Sequence, residues 1–181
     1  MAELILLMPL AASGISICTE KFLAGLTVLA QALTLTLSLM LAWSVVWNGP
    51  LTYGWFYIDA VGALFLLTVA VVNCTAAIYS AGYVRAAHDG VPIAGGALRR
   101  YYVQFNLFAF AMLLIPLLAN LGLVWIALEL TTLASVFLVG FEYTGRATEA
   151  AWKYLVISFV GAMLGLWGMV LLYYCTAHAP V

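Results

Sequence analysis

Two ionisable residues stand where a sequence this apolar should hold none. Glu129 lies within the apolar run Leu121–Phe141, and Lys153 lies about one turn into the run Ala150–Cys175. An ionisable side chain in a membrane span costs roughly 2.5–3.5 kcal/mol on insertion scales and is by default a functional residue. A carboxyl and an ammonium in such a setting can exchange a proton or hold one another's charge. Two plainer roles compete. Glu129 could be a structural carboxyl bonded to a neighbouring helix, and Lys153 a snorkelling anchor at the interface. Asp59, at the start of a third helix, reads first as a cap that complements the helix dipole.

Other chemistry finds little to work with. There is no Gly-rich phosphate loop, hydrolase elbow or zinc spacing. His88 and His178 fall outside the spans, so neither is placed for mid-membrane ligation. Cys18, Cys74 and Cys175 show no CxxC spacing and read as small buried hydrophobes. No cofactor, no metal and no catalytic residue is expected. A net charge of −1 gives no basic field for a nucleic acid.

The elements that must position Glu129 and Lys153 follow from composition. Of 181 residues, 67% are hydrophobic and 7% charged. A soluble domain is nearer a quarter charged, so the solvent for this surface is lipid. Six runs can be read, about 4–20, 22–47, 58–83, 102–119, 121–141 and 150–175, against the ~20 residues that one span needs. The expected fold is an all-α polytopic bundle of about six transmembrane helices, forming one domain over 1–181. Glu3 stands where a signal peptide would carry its basic region, so the first run reads as a membrane helix. Asn48-Gly49-Pro50 ends the second helix, and Asn120 divides the fourth from the fifth. Pro9 and Pro116 lie within helices one and four, where each can kink its helix.

Lys21, Arg85, Arg99, Arg100 and Arg146 fall in alternate connections, and the opposite ones carry no Lys or Arg. The positive-inside rule then puts both termini on the extracytoplasmic side. Trp47, Tyr53, Trp55, Phe56 and Tyr57 mark one interface; Tyr83, Tyr101 and Tyr102 mark the other. Helix five runs inward and helix six outward. That sets Glu129 ~12 Å below the outer boundary, Lys153 ~5 Å above the inner one, and a gap on the order of 10 Å between them. The expected link is through water. Gln31, Asn73, Gln104, Asn106 and Asn120 read as polar glue between helices, and Gly161, Gly165 and Gly168 as a small stripe for close packing.

The stretch Asn120–Phe141 around Trp125 and Glu129, with Glu149-Ala150-Ala151-Trp152-Lys153-Tyr154, resembles the antiporter-like membrane subunits of the complex I superfamily. The branch it most resembles is hydrogenase-4 component F and NADH-quinone oxidoreductase chain 5. Phe56-Tyr57-Ile58-Asp59, Ile78-Tyr79-Ser80 and Tyr83 fit that family's third helix. The resemblance spans most of residues 50–175. It implies proton translocation, with Glu129 and Lys153 as a relay pair, in a non-catalytic membrane subunit of an oxidoreductase complex. Such a subunit would lie in the bacterial cytoplasmic membrane. Members carry further helices and charges downstream of the matched part, so the resemblance implies partner membrane subunits, one supplying further antiporter-like helices, with lipids around them. The alternative is a structural or accessory transmembrane subunit of a respiratory or photosynthetic complex, without transport of its own.

Overall fold

The computed structural model describes residues 2–18, 22–88, 95–141 and 144–177. In order these form α1 (Ala2–Cys18), α2 (Leu23–Asn48), β1 (Leu51–Tyr53), β2 (Phe56–Ile58), α3 (Ala60–His88), α4 (Gly95–Leu114), a 3-10 turn (Ile115–Leu117), α5 (Leu121–Val139) and α6 (Gly145–Ala177). The six expected helices are present. Five of them, α2 to α6, are long and apolar enough to cross a membrane; α1 is a shorter apolar helix of 17 residues.

The bounds shift for identifiable reasons. α3 continues to His88 and α4 begins at Gly95, which shortens the connection expected over 85–100. The fourth helix stops at Leu114 instead of reaching 119, because Pro116 has no N–H and its ring opposes the carbonyl one turn back. Pro116 therefore ends α4 in a 3-10 turn rather than kinking it. Asn120 then starts α5, its Oδ1 accepting the N–H of Gly122 at 2.8 Å and of Leu123 at 3.4 Å. This is a cap, not the interhelical glue expected of Asn120. α6 begins at Gly145, five residues early, because the Thr144 hydroxyl accepts the Ala147 N–H at 3.2 Å. Arg146 therefore lies in the first turn of α6, and Lys153 is two turns in rather than one. Lys21 and Glu20 lie outside the described residues.

The expectation of helices alone misses a β-hairpin. β1 and β2 pair antiparallel, Leu51 with Ile58 and Tyr53 with Phe56, leaving Gly54-Trp55 as a two-residue turn. Gly54 has φ +57°, the left-handed region where glycine carries no steric cost. The aromatic and β-branched residues around it favour a pleated strand; they were legible only as an interfacial belt. The hairpin is joined to the α4–α5 connection. Ala119 N–H donates to the Trp55 carbonyl at 3.0 Å, and Phe56 pairs with Leu118.

α1 packs on α2 and α4, α2 on α3, α5 on α4, and α6 mainly on α5. The apolar core draws on Ile5 and Leu6 of α1, Leu41 and Val45 of α2, Leu66 and Ala70 of α3, and Leu113 and Leu117 after α4. A polar lattice runs beside it. Asn106 donates to Thr27 Oγ1 at 2.9 Å and to the Tyr102 carbonyl at 2.8 Å, and accepts from Gln31 Nε2 at 3.2 Å. Gln31, Thr27 and Asn106 are fully buried. Ser13 of α1 donates to the Val103 carbonyl of α4 at 3.3 Å. Bonds of this kind tie membrane helices where no hydrophobic effect separates helix from lipid.

One end of the bundle, the hairpin end, also holds the start of α1 and the end of α6. Ala2 and Glu3 line a cavity with Tyr53 and Phe56, and Tyr173 and Thr176 line another with Asn120. The opposite, basic end carries Arg99, Arg100 and Arg146.

Candidate functional site: the seam between the last two helices

Helix α5 presents two working faces. Ala127 and Ala134, seven residues apart, are its buried positions and belong to the side packed on α4. The opposite side meets α6. Trp125 donates its indole N–H to the Ala162 carbonyl at 3.1 Å, and Ser135 Oγ lies 3.1 Å from the Tyr154 hydroxyl. Gly140 approaches Ala151 closely enough that a Cβ there would meet the alanine methyl at 3.4 Å. On α6 the matching stripe of less exposed residues is Ala151, Leu155, Ser158, Ala162, Leu166 and Met169, at spacings of three or four.

Glu129 follows Trp125 by four residues, so it shares the face turned to α6. It is half-buried and has no ion-pair or hydrogen-bond partner among the described residues. The two cross-helix bonds set the register. With Trp125 opposite Ala162 and Ser135 opposite Tyr154, Glu129 is level with Ser158 and Phe159. Lys153 is about six residues further toward the basic end, about 9 Å at 1.5 Å per residue. The structure thus places Glu129 in the seam but does not bring Lys153 to it. Lys153 Nζ is paired with Glu149 Oε1 at 2.5 Å, one turn earlier on its own helix, and both side chains are more than 60% exposed.

The other singled-out residues lie apart. Asp59 Oδ1 accepts the Gly62 N–H at 2.7 Å at the start of α3. Gly161, Gly165 and Gly168 are exposed, and a Cβ at any of them would meet nothing within 4 Å. Among the described residues, no helix packs against them. Cys74 is buried as expected, but Cys175 is exposed; the Cys18 side chain lies outside the described residues. Among the described residues, no three His, Cys, Asp or Glu side chains gather as a metal site.

Sequence reasoning gave Ser135 and Ser158 no role, and took Trp125 and Tyr154 only as part of the resemblance. A signal existed for one of them, since Trp125 is spaced four from Glu129 and so shares its face. Ser135 and Tyr154 could not be paired without the register of α5 on α6. On one flank of the seam is a cavity of about 290 Å³, whose lining includes Leu133, Phe137, Trp152 and Leu155, with Thr148 its only hydroxyl. Ser135 and Tyr154 lie on the other flank, since 154 follows 152 by about 200° around the helix.

Comparison with known proteins agrees with this geometry. Residues 118–180, which hold the whole seam, match the family model described as NADH:quinone oxidoreductase/Mrp antiporter, TM. A hydrogenase-4 component F homolog of Methylacidiphilum infernorum is 31% identical over 118 residues, 65% of this chain and 25% of that protein. NAD(P)H-quinone oxidoreductase chain 5 of Synechocystis is 34% identical over 138 residues, 76% of this chain and 19% of that protein. The chain therefore spans a quarter or less of the length of these two relatives. The same fold occurs in a chain of respiratory complex I from Thermus thermophilus, with TM-score 0.72 and 22% identity. It occurs again in the membrane-bound sulfane sulfur reductase, an archaeal respiratory membrane complex, with TM-score 0.74 and 20% identity. Both cover 97% of this chain and 37% of the other. The chain is an integral membrane protein of the complex I/Mrp antiporter-like kind, related to the hydrogenase-4 and NADH-quinone oxidoreductase chain 5 family.

Proposed function

We propose that this chain contributes to proton translocation as a membrane subunit of a redox-driven or antiporter-like complex, with Glu129 as the group that takes up and releases the proton. The observation that carries this reading is a lone carboxyl near the middle of a membrane helix, turned toward the neighbouring helix and without a counter-charge among the described residues. Such a group is costly in lipid and is retained where charge has to move. Lys153 is the second member of the relay. Its ion pair with Glu149 keeps the ammonium at the basic end; on leaving Glu149 it can act on the carboxyl through bridging water. A nearby ammonium favours a carboxylate and its withdrawal favours the acid, so displacement of Lys153 alternates release with uptake.

The open approach at Gly161, Gly165 and Gly168 supports a further membrane chain, one supplying antiporter-like helices, packed on the exposed side of α5 and α6. Lipid covers the rest. Arginines at one end and none in the hairpin support a bacterial cytoplasmic membrane location with the hairpin end, and both termini, outside.

The test is Glu129→Gln in the complex isolated through this chain and reconstituted with a trapped pH dye. Proton movement driven by the complex's own energy source should fall at least ten-fold with assembly unchanged, and Glu129→Asp should retain part of it. Wild-type rates in Glu129→Gln would overturn the reading.

A further inference from the structure

We infer that Glu129 exchanges its proton with the basic end through a ladder on one flank of the α5–α6 seam, made of the Tyr154 and Ser135 hydroxyls and completed by water beside Thr132. This rests on the proposed role of Glu129. The interval to be bridged is the one that Lys153 leaves open. Tyr154 follows Lys153 directly, and its hydroxyl lies 3.1 Å from Ser135 Oγ on the facing helix. Ser135 donates to the Thr132 carbonyl at 2.7 Å, so the Tyr154 hydroxyl is free to donate to Ser135. Thr132 is one turn closer to Glu129, whose level on α5 is ~4.5 Å from Thr132 and ~9 Å from Ser135. Ser158, one turn beyond Tyr154 on α6, stands level with the carboxyl itself. Tyr154 and Ser135 are thus in hydrogen-bond contact, and the remaining interval to Glu129 is about one helical turn at a time, for water to bridge.

The two flanks of the seam differ in kind. The other flank is the cavity whose lining includes Leu133, Phe137, Trp152 and Leu155, and it offers no successive donors and acceptors. A hydroxyl can accept a proton on one lone pair while giving up its own. A proton from water beside Glu149 and Lys153 binds the Tyr154 oxygen as that hydroxyl's proton passes to Ser135. The Ser135 proton passes to water at Thr132, and that water releases one to the Glu129 carboxylate. Each hydroxyl ends neutral. The net change is one proton lost at the basic end and one O–H bond formed on Glu129.

Infrared difference spectroscopy of the full chain in lipid bilayers tests this directly. The protonated Glu129 carbonyl band, identified by its loss in Glu129→Gln, is followed after a switch to D2O. Tyr154→Phe and Ser135→Ala should each slow its exchange at least ten-fold, while Ser135→Thr, which keeps a hydroxyl, exchanges at the wild-type rate. A merely structural Ser135 would act the other way, since loosening the seam admits water and speeds exchange. Wild-type or faster exchange in both Tyr154→Phe and Ser135→Ala overturns the ladder and leaves the role of Glu129 standing. Absence of any Glu129-dependent carboxyl band over the pH range of the folded protein overturns both.

Discussion

The first four helices and the last two are built on different terms. In α1–α4 a buried set of polar side chains is mutually bonded: Asn106 alone joins Thr27, Gln31 and the Tyr102 carbonyl. In α5–α6 the polar groups sit along a seam with a single helix, and α6 offers nearly its whole length to whatever surrounds it. Neutral side chains bonded across helices favour one packing. An intramembrane carboxyl without a partner does the reverse, since it gains by changing what it touches. Glu129 and Lys153, the two ionisable residues singled out from the sequence, both belong to this less buried pair. The four-helix unit supplies a wall on the α4 side of α5, and Glu129 lies on the other side of that helix.

Asn106→Leu should break this contrast most severely. It removes three hydrogen bonds and strands the Gln31 amide, with a cost of roughly 2 kcal/mol or more at ~0.6–1.7 kcal/mol per interhelical bond. Denaturant unfolding in mixed micelles, read by tryptophan fluorescence, measures it; an unchanged midpoint would mean that the lattice does not hold α2 to α4. Trp125→Phe keeps the ring but loses the bond to Ala162, about 1 kcal/mol. Amide exchange on α6 around residues 158–166 should rise while α1–α4 stay protected. Lys153→Met sharpens the comparison from the other side. The Glu149–Lys153 pair is exposed and spaced i,i+4, so stability should change by no more than about 0.5 kcal/mol even as proton movement falls. Gly161→Leu comes last. With nothing within 4 Å of a Cβ, the isolated chain should unfold within about 0.5 kcal/mol of wild type. Loss of co-purifying membrane subunits would be its only consequence.

Apolar runs and breakers were enough to count the helices, because lipid leaves the backbone few other ways to satisfy its own hydrogen bonds. Asn120 and Pro116 marked the α4–α5 boundary through cap and ring chemistry that is local to a few residues. The hairpin was not legible, since its strands are three residues each and depend on the α4–α5 connection for an edge partner. Glu129 was legible by its charge alone. Lys153 was too, but its partner was not: Glu149 could be assigned to α6 only once Thr144 was known to start that helix. Ser135 and Tyr154, 19 residues apart, needed the register of two helices, a tertiary fact that neither helix's own sequence contains.

The bond from Ala119 to the Trp55 carbonyl bears on the order in which the chain is laid down. The two strands can pair as soon as Ile58 has emerged, yet their third member is made only after α3 and α4 have both been threaded through the bilayer. Until then the outer strand edge at Trp55 and Phe56 has to be hydrated, which holds that turn in the headgroup layer. Arrival of Leu118 and Ala119 closes the edge. A nascent chain stopped short of residue 119 would therefore keep an open strand at the membrane surface, and one released beyond it would not.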